Sequence, residues 1–147
     1  MKISIIIPAY NESENIEAHL DEIEIYMNET MSSHQWEVLV VNDGSTDDTG
    51  AIVRNVEAGK PWLKAINLSA HQGRGKALQT GFEMSAGDVI VTLDADLSYA
   101  PYHIGRMVEK LEKENADIVL VSAYRKGGTV SGVPFKRLFI SKMGNKL

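Results

Sequence analysis

The chain has 147 residues, few enough for a single domain and enough to bury a real core. It contains no cysteine, which excludes a disulfide framework and a thiolate metal site and fits a reducing compartment. Its net charge of −5 is unevenly placed, since all 20 acidic residues lie at or before Asp117 while six of the 15 Lys and Arg lie in 122–147. Counting side chains leaves about −11 on residues 1–121 and about +6 on the tail. So acidic a body argues against nucleic acid as a partner, and the basic tail calls for an anionic partner or a membrane surface.

In chain order, "MKISIIIPAY" holds too short an apolar run before Pro8 for a signal-peptide core or a membrane span, so a cytoplasmic location is expected. Ile3 to Ile7 reads as a strand closed by Pro8, and its unbroken apolar character suits a central parallel strand. Asn11 or Ser13 can cap a helix to about Met31, with Ile16, Leu20, Ile23 and Met27 as its apolar stripe. Trp36 to Gly44 is a second strand running into a turn. Ser45 or Thr46 then caps a helix through Ile52 and Val56, with Asp47 and Asp48 as acids of its first turn. Leu63 to Leu68 is a third strand, and the loop "HQGRG" opens a helix from about Gly75 to Ser85. Val89 to Leu93 is a fourth strand, Pro101 starts a helix to about Glu114, and Asp117 to Ser122 is a fifth strand. This alternation predicts a doubly wound α/β fold, a mostly parallel sheet with helices on both faces.

Four polar loops follow the strands: "PAYNE", "NDGSTDD", "HQGRGK" and "DADLS". In an open parallel sheet they share the carboxyl edge, where ligands bind. Asp43, Arg74, Lys76, Asp94 and Asp96 can therefore converge. Two carboxylates on one tight turn, Asp94 and Asp96, make a site for a hard cation such as Mg²⁺ or Mn²⁺ bridging to substrate phosphates. The plainer reading is a strand end with an Asx turn. Asp43 can read a ligand's donor groups or simply make a turn with Gly44. Arg74 and Lys76 can meet phosphate or stand as solvated loop charges, and His71 reads as a loop or packing histidine.

Taken together, "SIIIPAYNE", "VLVVNDGSTDDT", "GRGKALQTGF" and "DVIVTLDADLS" resemble the successive motifs of the family 2 inverting glycosyltransferases. The resemblance implies a GT-A fold, Rossmann-like, and here C-terminally truncated, since that domain continues past the position of Leu147. It implies that Pro8, Tyr10 and Glu12 hold a nucleotide, that Asp43 reads its base, that Lys76 and Asp94 also serve the nucleotide, and that Asp94 and Asp96 hold the metal on the donor diphosphate. Asp96 is also the candidate catalytic carboxylate. The end of the chain is similar to polyprenyl-phosphate sugar transferases of the dolichyl-phosphate mannose synthase type, where Arg137 and Ser141 would meet the acceptor phosphate. Ala123 stands where that subgroup has an arginine. Phe135, Leu138, Phe139, Met143 and Leu147 recur at helical spacing among Lys136, Arg137, Lys142 and Lys146, a basic amphipathic pattern suited either to an anionic lipid interface or to packing on the sheet.

The expected organisation is a nucleotide-sugar-binding core over 1–121 and the start of an acceptor-side segment over 122–147. The expected function is metal-dependent transfer of a sugar from GDP-mannose or a UDP-sugar to a polyprenyl phosphate with inversion, at the cytoplasmic membrane face. One rival is a truncated or non-catalytic nucleotide-binding module. A second is a haloacid-dehalogenase-type phosphatase, which "LDADLS" also resembles, but no Asp or Glu follows Asp117 to complete that site.

Overall fold

A computed structural model of the chain describes residues 1–96 and 98–121. Its elements, in order, are β1 (Lys2–Ala9), α1 (Ile16–Thr30), β2 (Gln35–Asn42), α2 (Thr49–Gly59), β3 (Leu63–Asn67), α3 (Arg74–Met84), β4 (Val89–Thr92) and α4 (Tyr102–Glu114). Met1–Glu109 form one compact unit. The four strands make a parallel sheet in the order β3-β2-β1-β4. The α/β expectation holds, with β1 in the interior of the sheet.

The register explains why β1 reads as an apolar run interrupted only by Ser4. Ile3, Ile5 and Ile7 enter the larger core with Val38, Val40, Leu63 and Val91. That face is covered by Ile16, Leu20, Ile23 and Met27 of α1, Val53 of α2, and Ile104 and Val108 of α4. Ile6 points the other way, to Leu39, Val41, Ile66 and Ala77 of α3. Successive side chains of a strand face opposite ways, so a strand covered on both faces is apolar except where a polar side chain is paired, as Ser4 is with Glu37 and the Gly87 N–H. The α3 layer sits close, since a Cβ on Gly81 would stand 2.4 Å from Ile6 Cγ2. Pro8 does not end β1. It pairs in register with Val41, two positions past the last β4 pairing at Ile6, where its missing N–H costs that neighbour nothing.

Several boundaries differ from expectation. α1 starts at Ile16 behind Asn15, because Asn11 is in the left-handed region (φ 55°) and Ser13 bonds elsewhere. α2 starts at Thr49 behind Asp48, because Ser45 and Thr46 are engaged in loop contacts. The fifth strand does not form over Asp117–Val121, and Ser122 lies outside the described residues. Ile118 and Leu120 are 76% and 85% exposed. A strand is made by its partner, and apolar β-propensity without pairing leaves an irregular segment.

Gly44 (φ 66°) fixes how the loops after β2 and β3 meet. A Cβ there would lie 2.4 Å from Ala70 C and His71 N. Gly44→Ala adds about 1–2 kcal/mol of left-handed strain and about 1–3 kcal/mol of overpacking. A loss of about 2–5 kcal/mol is expected from the shift in urea midpoint at constant m-value.

Candidate functional site

In a 3-2-1-4 sheet the strand order reverses between β1 and β4, and the loops leaving those strands diverge to open a crevice. The β1–α1 loop is held there by the loop after β2. The Asn11 N–H donates to Ser45 Oγ (3.0 Å), Glu12 N–H to Thr49 Oγ1 (2.8 Å) and Ser13 N–H to Asp47 Oδ2 (3.1 Å). In return Thr46 N–H donates to Asn11 Oδ1 (2.9 Å). Asp47 is thus a clamp between two loops as well as an acid beside a helix start. Burial works to raise its carboxyl, but bonds from Thr49 and Ser13 outweigh this and bring it to about 2.

Asp43 is buried at the end of β2 and anchors the loop after β3. Oδ1 accepts the Gln72 N–H and Oδ2 the Gly73 N–H, both at 2.8 Å. His71 Nδ1 lies 2.8 Å from Oδ2, and the His71 ring packs on Tyr10 with centroids 4.0 Å apart. The same loop leads into Arg74, whose guanidinium meets Asp94 Oδ1 at 2.6 Å. One loop therefore touches the carboxylates of both β2 and β4.

Asp96 accepts from the Ser98 N–H (3.0 Å) and from Ser98 Oγ, the Asx turn that the plainer sequence reading describes. Burial pushes its carboxyl up, but the Ser98 bonds and the nearby His19 ring carry it below its ordinary value. Glu12 shifts the other way. Burial raises it first, and Asp96, Asp47 and Asp94 add to the rise against a lowering bond from Asn15. Negative charge is in surplus here.

These residues line one cleft of about 310 Å³: Pro8, Tyr10, Glu12, Asp43, His71, Arg74, Asp94 and Asp96 among them. Of the residues expected from sequence, Pro8, Tyr10, Glu12, Asp43, Asp94 and Asp96 are brought together. Lys76 is not; its Nζ reaches Gln79 on α3 at 3.3 Å. Arg137 and Ser141, with Ala123 and the basic amphipathic pattern, lie outside the described residues. Arg74 and His71 are in the cleft, although their loop charges alone did not set them apart. No group of three or more His, Cys, Asp or Glu forms a metal cage among the described residues. The donor set still fits a hard cation of the Mg²⁺ type, which takes one or two carboxylates and completes its shell with water and substrate phosphate. The surplus negative charge felt by Glu12 is what such a cation would relieve.

His19 gave no sequence signal beyond standing in an apolar stripe. It is fully buried on α1, and neither ring nitrogen has a partner among the described residues. Each unpaired buried polar atom costs about 1–3 kcal/mol.

Comparison with known proteins agrees with the geometry. Residues 4–146 match the family described as Glycosyl transferase family 2. The chain belongs to this family. Among its family 2 relatives, the dolichol-phosphate mannosyltransferase of Pyrococcus furiosus is 37% identical over 142 residues, which is 97% of this chain and 39% of that protein. A polyprenol monophosphomannose synthase of Mycolicibacterium smegmatis is 33% identical over 145 residues, 96% of this chain and 52% of that protein. The chain thus spans about two fifths to about half of the length of these relatives. A mannosyltransferase from Pyrobaculum calidifontis, solved with GDP-Man and Mn²⁺, superposes with a TM-score of 0.64 at 32% identity over 74% of this chain and 32% of that one. No helix among the described residues is long and apolar enough to cross a membrane.

The Asp47 clamp has a pH signature. A carboxyl held at about 2 contributes stability in full above its ordinary value of 3.8, and loses it as pH falls through 2. The stability difference between wild type and Asp47→Asn should be largest above about pH 4 and close by about pH 2, read by thermal melts across that window. A constant difference would contradict the clamp.

Proposed function

We propose that the chain binds a nucleoside-diphosphate sugar in the β1/β4 crevice and belongs to an enzyme that passes the sugar, with inversion, to a polyprenyl phosphate. The observation that carries this reading is the convergence of Tyr10, Glu12, Asp43, Asp94 and Asp96 from three strand ends on one cleft of a family 2 chain. The names of the Pyrococcus and Mycolicibacterium relatives support the polyprenyl acceptor, and the GDP-Man and Mn²⁺ of the Pyrobaculum structure support the donor and a divalent cation.

In this reading Asp43 and the Tyr10–His71 pair receive the base. Asp43 already bonds two N–H groups of the loop after β3, so a base N–H either shares those oxygens or displaces that loop. Asp94 and Asp96 hold the cation, which supplies charge neutralisation for the departing nucleoside diphosphate. Arg74 balances Asp94 in the free chain and turns to the diphosphate when the donor arrives. Asp96, held below its ordinary value, is a poor proton acceptor and a good cation ligand. A phosphate acceptor is already anionic near neutral pH and needs no strong base. What it needs is cations, and Arg137 and Ser141 are proposed to hold it. The expected site of action is the cytoplasmic membrane face.

Calorimetric titration with GDP and UDP, with and without Mn²⁺, tests the donor site. One nucleotide is expected to bind tightly only with the cation, and Asp94→Ala to lose that metal-dependent part. Binding indifferent to the cation and to Asp94 would overturn the assignment. Transfer of labelled sugar to a polyprenyl phosphate then separates an enzyme from a chain that only binds nucleotide.

A further inference from the structure

Among the described residues that line the cleft, Arg74 is the one lysine or arginine, set against Glu12, Asp43, Asp94 and Asp96. Its backbone is placed from outside the helix it begins. The Asp43 carboxylate accepts the Gln72 and Gly73 N–H groups, both at 2.8 Å, which fixes the chain up to the first residue of α3. From there the guanidinium reaches Asp94 Oδ1 at 2.6 Å. The pair is open to solvent, with the Arg74 side chain 61% exposed and that of Asp94 34%.

This pair stands where the functional reading needs a divalent cation. An ion taking Asp94 and Asp96 meets a carboxylate oxygen already bonded to a guanidinium, and two cations on one carboxylate repel. A bare ion must therefore break the pair and send Arg74 back to water. An ion that arrives with a diphosphate breaks the same pair but brings a replacement anion, and a guanidinium bonds phosphate oxygens with a matching fork of N–H groups. An exposed ion pair is held weakly enough to be exchanged in this way, as a buried one is not.

We propose that Arg74 is a specificity-determining residue that makes the cleft take its cation together with a nucleoside diphosphate rather than alone. It occupies Asp94 in the free chain, opposes a bare divalent ion, and exchanges Asp94 for the diphosphate when ion and nucleotide are both present. The coupling of two ligands is reciprocal, so the ion is also held less firmly once the diphosphate has left. The inference rests on the nucleotide-sugar reading above and adds to it the order in which the site fills.

The test compares wild type with Arg74→Gln and Arg74→Lys by thermal melting and by calorimetry with Mn²⁺ alone, with GDP or UDP alone, and with the nucleotide at saturating Mn²⁺. Arg74→Gln keeps N–H donors and loses the charge, and its Tm is expected to match wild type, as for most exposed substitutions. It is expected to bind Mn²⁺ alone about 2- to 5-fold more tightly, the equivalent of an exposed ion pair. It is expected to bind the nucleotide with Mn²⁺ about 10-fold or more weakly, the equivalent of a hydrogen bond to a charged group. Arg74→Lys, which keeps the charge, should stay near wild type for the bare ion. Adding Asp94→Ala to Arg74→Gln should remove the bare-ion binding. Bare Mn²⁺ bound no more tightly by Arg74→Gln than by wild type, or bound by neither, overturns the inference, and so does bare-ion binding that survives Asp94→Ala. Each of these leaves the functional reading intact while wild type shows Mn²⁺-dependent nucleotide binding. If neither Arg74→Gln nor Arg74→Ala folds, Arg74 serves the fold and the inference also fails. Absence of Mn²⁺-dependent nucleotide binding by folded wild type overturns the functional reading, and this with it.

Discussion

A carboxylate buried at the end of β2 holds the site together. Asp43 is nearly inaccessible, and its two oxygens accept the N–H groups of Gln72 and Gly73 while His71 stands against one of them. Buried charge is tolerated only when it is paired and hydrogen-bonded, and here the pairing comes from a loop that departs from a different strand. The position of that loop follows from the bond. So does the position of Arg74 at Asp94, and of the His71 ring on Tyr10. Gly44, with no room for a side chain, lets the two backbones close on each other.

The electrostatics of the cleft follow from the topology. A 3-2-1-4 parallel sheet points the strand ends of β1, β2 and β4 at a common crevice, and each of these loops carries acid. Asp43 is answered by backbone donors, Asp94 by Arg74, and Asp96 by Ser98. Glu12 is left with the excess, and its carboxyl is held above the ordinary range. A cleft built this way discriminates by charge. It favours ligands that bring cations with them, as a diphosphate bound with a divalent ion does, over bare anions.

Much of this could be read from the residues. The largely apolar run of β1 and the alternation of strand and helix identify a covered parallel sheet, since burial on both faces favours it. The acidic strand ends identify the carboxyl edge. What escaped were features decided by partners distant in the chain. Asn11, Ser13, Ser45 and Thr46 look like helix caps, and locally they have the right chemistry. In the fold their groups bond across loops, and the helices start later. Ile118 and Leu120 have strand propensity, yet they form no strand among the described residues and are largely exposed. Lys76 is two residues from Arg74, yet one turns along α3 and the other into the cleft. His19 differs from its apolar neighbours only in what it lacks, which no local pattern displays.

The seam between the first two loops is unequal in its demands on the genetic code. On one side its donors are the backbone N–H groups of Asn11, Glu12 and Ser13, which every residue but proline supplies. On the other side its acceptors are the side chains of Ser45, Asp47 and Thr49, which few residues can replace. Side chains of the first loop enter at two places, Asn11 accepting the return bond from Thr46 and Ser13 adding its hydroxyl to Asp47. Apart from Asn11 and Ser13, the first loop is therefore free to change its side chains, and with them what the cleft contacts, while the second loop keeps its sequence to hold the first in place. Drift in ligand preference and drift in architecture are thereby assigned to different stretches of the chain.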